Sequence, residues 1–103
     1  MSFTLKDLEK IIGERAKADP KNSYSAHLLD KGVGHCAQKF GEEAFETVIS
    51  ALEKDQNGLK SEAADVLYHL LVLLRAAEVP LDDVLQELQT RTARSGIEEK
   101  LSR

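Results

Sequence analysis

The chain has one cysteine, Cys36, among its 103 residues. No internal disulfide can form, and a zinc site built from cysteines is excluded. A lone thiol suits a reducing cytoplasm, which is the expected compartment. Long apolar runs are missing too. The longest, Leu70 to Leu74, falls far short of the roughly 20 residues a membrane-spanning helix needs. The first residues, Met1-Ser2-Phe3-Thr4-Leu5-Lys6-Asp7, lack the basic-then-apolar order of a secretory signal, so none is expected. Basic runs are also absent, the net charge is −4 and the isoelectric point is about 5.3. That balance argues against a general nucleic-acid or anionic-membrane binder. It leaves a nucleotide ligand open, because a bound metal bridges acidic side chains to phosphates. The chain carries no alternating strand pattern, internal repeat, low-complexity segment or linker.

What is present is helical periodicity. Thr4 is a good N-cap, with Asp7 in the first turn behind it. Leu5, Leu8, Ile11, Ile12 and Ala16 then repeat at helical spacing up to Asp19-Pro20, where proline disfavours helix in the residue before it. Ser25 is expected to cap a short turn carrying Leu28 and Leu29. Lys31-Gly32-Val33-Gly34 breaks the chain before a long helix predicted over 33–54, with Val33, Ala37, Phe40, Ala44, Val48 and Ala51 as its apolar stripe. A short connection around Asp55-Gln56-Asn57-Gly58 leads to a helix predicted over 59–78. The middle of that helix, from Val66 to Leu74, is apolar almost all round, which places it at the centre of a bundle or at a subunit interface. Val79-Pro80 ends it. The last helix is predicted over 81–94, with Leu81, Val84, Leu85 and Leu88 inward, stopped by Ser95-Gly96 before an exposed tail. The expectation is an all-α bundle of about four main helices in one domain, residues 1–103. The apolar share of 42% is ordinary, and a domain this small buries only a modest part of its surface. Dimerisation would complete it.

The chemistry lies on the two long helices. Each residue of an α-helix turns about 100°, so positions three, four and seven apart share a face. Lys39, Glu42, Glu43, Glu46 and Ser50 therefore line one face of the first, and Glu62, Asp65 and His69 one face of the second. An antiparallel arrangement brings the acidic faces together. Converging carboxylates repel and resist desolvation unless a cation offsets them. Spacing alone leaves two readings open, a metal centre or a solvated charged face. For a metal, zinc wants Cys or His ligands and the chain has no His-Glu-x-x-His. A ferritin-like di-iron site wants Glu-x-x-His, which is also missing. All-carboxylate ligation fits Mg²⁺, with Mn²⁺ as a substitute.

Glu-Glu-x-x-Glu at 42–46 followed by Glu-x-x-Asp at 62–65 resembles the all-α (MazG-type) nucleoside triphosphate pyrophosphohydrolases. Flanking segments narrow the resemblance. Ser23-Tyr24-Ser25-Ala26-His27-Leu28-Leu29, Lys31-Gly32, Gln38-Lys39-Phe40-Gly41-Glu42-Glu43, the run from Glu62 to Leu74 and Val79-Pro80-Leu81-Asp82-Asp83-Val84 are similar to the phosphoribosyl-ATP pyrophosphohydrolase family. The similarity covers about residues 3–95. It implies Mg²⁺-dependent hydrolysis of phosphoribosyl-ATP to phosphoribosyl-AMP and pyrophosphate, the second step of histidine biosynthesis. By motif position, Glu43, Glu46, Glu62 and Asp65 become the metal ligands. Glu42 becomes a further acid, and Glu42 or Glu46 is the candidate base for the attacking water. Lys39, Ser23, Tyr24 and Lys31 are the candidate substrate contacts. Lys39 has a competing reading as a salt bridge to Glu43, and Ser23, Tyr24 and Lys31 as a capped loop. His69 either supports a ligand carboxylate or is a structural core histidine. Two rival functions remain: a house-cleaning nucleoside triphosphate pyrophosphohydrolase, and a non-catalytic helical interaction module.

Overall fold

The computed structural model describes residues 2–93. Among them are five helices and no strand: α1 (Leu5–Arg15), α2 (Tyr24–Asp30), α3 (Val33–Leu52), α4 (Gln56–Ala76) and α5 (Leu81–Thr92). The expected all-α architecture is present, with the short α2 added to the four longer helices. The stop at Ser95-Gly96 and the tail lie outside the described residues.

Each helix begins where local chemistry dictates. Thr4 and Asp7 exchange side-chain and backbone hydrogen bonds in a capping box, with Asp7 N donating to Thr4 Oγ1 at 3.1 Å and Thr4 N to Asp7 Oδ2 at 2.9 Å. This satisfies two otherwise orphaned donors. The short second helix starts two residues earlier than expected. Ser23, not Ser25, is its N-cap, accepting from Ala26 N at 3.1 Å. Ser25 is instead buried and shares a 2.6 Å hydrogen bond with the Tyr68 hydroxyl. Gly32 separates α2 from α3 at φ 91°, a conformation open to glycine at little cost.

The α3–α4 connection is also tighter than expected. Glu53, Lys54 and Asp55 alone form it, and Gln56-Asn57-Gly58 are already helical. Asp55 caps α4 by accepting from Gly58 N at 2.9 Å, and a Cβ at Gly58 would collide with that same carboxylate. So short a link between two helices of 20 and 21 residues folds them into an antiparallel hairpin. Helix α4 also packs on α1 and α2, which makes it the central element. At the far end, Glu9 Oε2 accepts from Leu81 N at 2.9 Å and Lys6 pairs with Asp82 at 2.6 Å, tying α1 to the start of α5.

The core is small: Ile12, Leu28, Cys36, Leu71, Val72 and Leu81, with Leu5, Leu8 and Leu74 packed against it. Only Cys36 of α3 is fully buried. The expected α3 stripe is therefore corrected. Phe40 and Ala44 are half-buried, whereas Val33, Ala37, Val48 and Ala51 are exposed. The reason is geometric: α4 covers one side of α3 and nothing described covers the other. Phe45 (66% exposed), Val48 (53%), Ile49 (39%) and Leu52 (78%) consequently form an open apolar face. On α5, Leu81 is buried and Val84 half-buried, but Leu85 and Leu88 are exposed rather than inward.

Candidate metal and nucleotide site

The hairpin brings the acidic faces together. One carboxylate oxygen from each of Glu43, Glu62 and Asp65 lies within 4.8 Å of the other two. Glu43 and Glu62 are half-buried and Asp65 is exposed, so the cluster sits at the rim of the α3–α4 contact. Glu62 bears most of the electrostatic cost. Its Oε2 is buried and has no hydrogen-bond partner. Its pKa is pushed up to about 7, first by desolvation, then by the Glu43 carboxyl within proton-sharing reach, then by the charge of Glu46. A carboxylate with one buried, partnerless oxygen, clustered with two further carboxylates, is an arrangement that a divalent cation relieves. The donor set is entirely hard oxygen, which fits Mg²⁺ or Mn²⁺ rather than a soft metal.

The remaining acids divide. Glu46 acts on Glu62 through its charge and so stands beside the cluster. Glu42 is not drawn in. It is exposed, accepts from Gln38 Nε2 at 3.1 Å and pairs with Lys39 Nζ at 3.2 Å. The Gln38 hydrogen bond and then Lys39 hold its pKa below the usual carboxylate value. The ion pair of Lys39 is thus with Glu42, three residues on. The Glu42 carboxylate raises the Lys39 pKa most, while Glu43 contributes least.

An aromatic partition borders this cluster. His69, one turn after Asp65, is 5% exposed. Its ring meets Tyr68 edge-on at 5.1 Å and Tyr24 edge-on at 6.1 Å. Burial pulls its pKa down, against the opposing pull of Glu43 and Asp65. Tyr24 and Tyr68 stack at 6.2 Å and 16°. Beyond them lies a cleft of about 470 Å³ that includes Ser23, Tyr24, Ser25 and Tyr68 in its wall. Lys31 is not part of it, since it sits at the opposite end of α2 as the C-cap. The cleft also contains Arg15, the last residue of α1. Arg15 does not stand out in the sequence, because a basic residue in a last turn is ordinary helix chemistry. The only available signal was its position shortly before the Ser23-Tyr24 segment.

A second concavity, about 440 Å³ walled by Glu9, Arg75 and Glu78 with Ile12 and Leu74 beneath, lies between α1 and the α4–α5 junction. None of the acidic cluster lines it.

Comparison with known proteins decides the lineage. The profile of the family "Phosphoribosyl-ATP pyrophosphohydrolase" matches residues 5–92. The chain belongs to the phosphoribosyl-ATP pyrophosphohydrolase family. It is 51% identical over 102 residues to the phosphoribosyl-ATP pyrophosphatase of Agrobacterium fabrum, covering 99% of this chain and 95% of that protein. It is 54% identical over 101 residues to the phosphoribosyl-ATP pyrophosphatase of Rhizobium johnstonii, covering 98% and 94%. A third relative of the same name, from Rhizobium etli, is 52% identical over 101 residues. The match to this family takes in all five helices, and with them both halves of the acidic cluster and the cleft behind Tyr68.

Proposed function

We propose that the chain hydrolyses phosphoribosyl-ATP to phosphoribosyl-AMP and pyrophosphate with Mg²⁺, for which Mn²⁺ can substitute. This is the second step of histidine biosynthesis, carried out in the cytoplasm by a single domain, residues 1–103. The observation that carries the reading is Glu62, which has a buried, partnerless Oε2 and clusters with the carboxylates of Glu43 and Asp65, in a chain of this family.

In this reading Glu43, Glu62 and Asp65 hold the metal, with Glu46 as the fourth ligand or as its neighbour. When bound, the ion neutralises triphosphate oxygens and the charge that builds on the departing pyrophosphate. Glu46 is the better placed of the two candidate bases. It stands by the cluster, free of the Gln38 and Lys39 contacts that keep Glu42 a weak proton acceptor. Its carboxylate takes the proton of the attacking water. Lys39, oriented by Glu42, offers its ammonium to a phosphate oxygen. Buried His69 braces Tyr24 and Tyr68 and so fixes one wall of the site. Ser23 and Lys31 serve differently: the Ser23 hydroxyl holds the wall together, and Lys31 approaches the substrate only as a long side chain from the far end of α2.

The partner protein is a second copy of the chain. Phe45, Val48, Ile49 and Leu52 are a contiguous helical face too apolar to favour water, and a homodimer covers it. Neither nucleic acid nor membrane is a partner in this reading. Among the described residues no helix is long and apolar enough to cross a membrane.

The test is substitution at the ligands. Glu43→Ala and Asp65→Ala should abolish Mg²⁺-dependent pyrophosphate release while the far-ultraviolet circular dichroism keeps its helical signal. An unchanged turnover number in either variant refutes the ligand assignment.

A further inference from the structure

The cleft behind Tyr68 has a charge character opposite to that of the molecule. The chain as a whole carries 18 acidic and 14 basic residues. The walls of this cleft hold one cation, Arg15, and no carboxylate. Among the described residues the Arg15 guanidinium makes no ion pair or hydrogen bond. Its charge reaches the Tyr68 phenol, where it counters the effect of burial.

The Arg15 main chain is also held in place. The Ser23 hydroxyl donates to the Arg15 carbonyl at 3.0 Å while accepting from Ala26 N at 3.1 Å. One side chain therefore locks the end of α1 to the start of α2. Asn22 and Tyr24, which also line the cleft, add neutral donors whose side chains are not engaged in any described hydrogen bond. A guanidinium fork on a pinned stretch of backbone, with an amide and a phenol in the same cleft wall, is a set of donors suited to phosphate.

The position of the cleft matters as much as its charge. Tyr68 follows Asp65 by three residues, roughly 4.5 Å along the α4 axis. Tyr24 stacks on Tyr68 and meets His69 edge-on. The three rings thus connect the acidic cluster and the Arg15 cleft: Tyr24 and Tyr68 line the cleft, and His69, in contact with both, lies within electrostatic reach of Glu43 and Asp65. A ligand bearing a polyphosphate at one end and a separate phosphate at the other can reach both.

We propose that the Arg15 cleft binds the phosphate monoester on the substrate's second ribose, and that Arg15 is the residue that distinguishes a phosphoribosylated nucleotide from a plain nucleoside triphosphate. This rests on the function proposed above and adds to it a recognition residue for the part of the substrate that ATP lacks. The pyrophosphate end is held by metal and Lys39; the opposite end is held by Arg15.

The experiment compares the wild type with Arg15→Ala and Arg15→Lys, using phosphoribosyl-ATP and ATP side by side. Arg15 is exposed, so its removal leaves the core intact; circular dichroism confirms this for each variant. In Arg15→Ala the ratio of kcat/KM for phosphoribosyl-ATP over that for ATP should fall about 10- to 100-fold, the usual range for a lost charge-assisted contact. The fall should appear mainly in KM, and Arg15→Lys should recover part of it. In parallel, ribose 5-phosphate is titrated into metal-free wild type and Arg15→Ala, followed by amide chemical shifts of Tyr24, Ser25 and Tyr68. Shifts in the wild type that vanish in the variant support the cleft. An unchanged ratio, or an equal loss for both substrates, overturns the proposal while leaving the proposed function standing. If the wild type hydrolyses no phosphoribosyl-ATP, the function fails, and the ribose 5-phosphate titration alone decides the cleft. Absence of wild-type shifts, or their persistence in Arg15→Ala, then overturns it.

Discussion

Glu62→Gln isolates the electrostatic logic of the metal site. The substitution keeps the side-chain shape and removes one charge from a cluster whose oxygens lie within 4.8 Å of one another. In metal-free protein the Glu62 pKa stands at about 7, against an ordinary value of 4.5. Because the folded value is the higher one, the folded state binds the proton more tightly. The Glu62 contribution to stability is therefore fully present below pH 4.5, is lost as pH rises from about 4.5 to about 7, and is level above that. Glu62→Gln should lose this decline, so its melting temperature with chelator at pH 8 should exceed that of the wild type. Divalent metal reverses the order. At free Mg²⁺ a hundredfold above its dissociation constant, linkage stabilises the folded wild type by about 2.7 kcal/mol. For a domain of this size that is on the order of 10 to 20 °C in Tm. The variant, short of a ligand, should show little of it. The assay is a pair of melting scans at pH 5 and pH 8, each with chelator and with Mg²⁺. A Glu62→Gln protein that is no more stable than wild type in chelator at pH 8, and equally responsive to Mg²⁺, would refute the reasoning.

Other consequences follow from neighbouring contacts. Glu46→Gln should lower kcat by about 10²- to 10⁴-fold, the range for a general base, whereas Glu42→Gln should cost much less; equal losses would reassign the base. The Ser25–Tyr68 hydrogen bond predicts non-additivity. Tyr68→Phe leaves a buried hydroxyl at Ser25 and should cost about 1–3 kcal/mol, while adding Ser25→Ala should restore part of it; urea denaturation of the double-mutant cycle checks this. Leu28→Ala, at a side chain only 1% exposed, should cost about 2–5 kcal/mol in the same assay. Val48→Glu places a charge in the open α3 face and should shift sedimentation from dimer to monomer, and an unchanged sedimentation coefficient would show that this face is not the dimer contact.

The sequence disclosed most where a short-range rule has one outcome. Thr4 announces an N-cap with Asp7 in the first turn, and Glu42 to Asp65 announces a two-helix acidic site; Pro20 and Pro80 mark the breaks, although α1 and α4 already end at Arg15 and Ala76. Rules with several local solutions were less informative. Ser23 and Ser25 are both competent caps, and the choice falls to Ser23 because Ser25 finds a better partner in Tyr68, 43 residues away. Periodicity revealed that α3 is apolar along its length but not which part α4 would cover, because coverage depends on the crossing of the two helices. Leu85 and Leu88 were misplaced for the same reason. At the site, spacing put Glu42, Glu43 and Glu46 on one broad face, yet only the folded hairpin separates Glu42, turned to Gln38 and Lys39, from Glu43, turned to Glu62. Arg15 was illegible because its significance comes from the loop that folds back beside it, pinned by Ser23.

The central claim is that the two acidic helices form a metal-dependent site for phosphoribosyl-ATP. Pyrophosphate release tests it most directly, measured with and without Mg²⁺ on phosphoribosyl-ATP, ATP and a panel of deoxy- and modified triphosphates. The account predicts release that requires the metal and strongly favours phosphoribosyl-ATP. Preference for another triphosphate would contradict the substrate and make the chain a house-cleaning hydrolase; no release from any substrate, with Mg²⁺ present, would contradict catalysis itself and leave a helical interaction module.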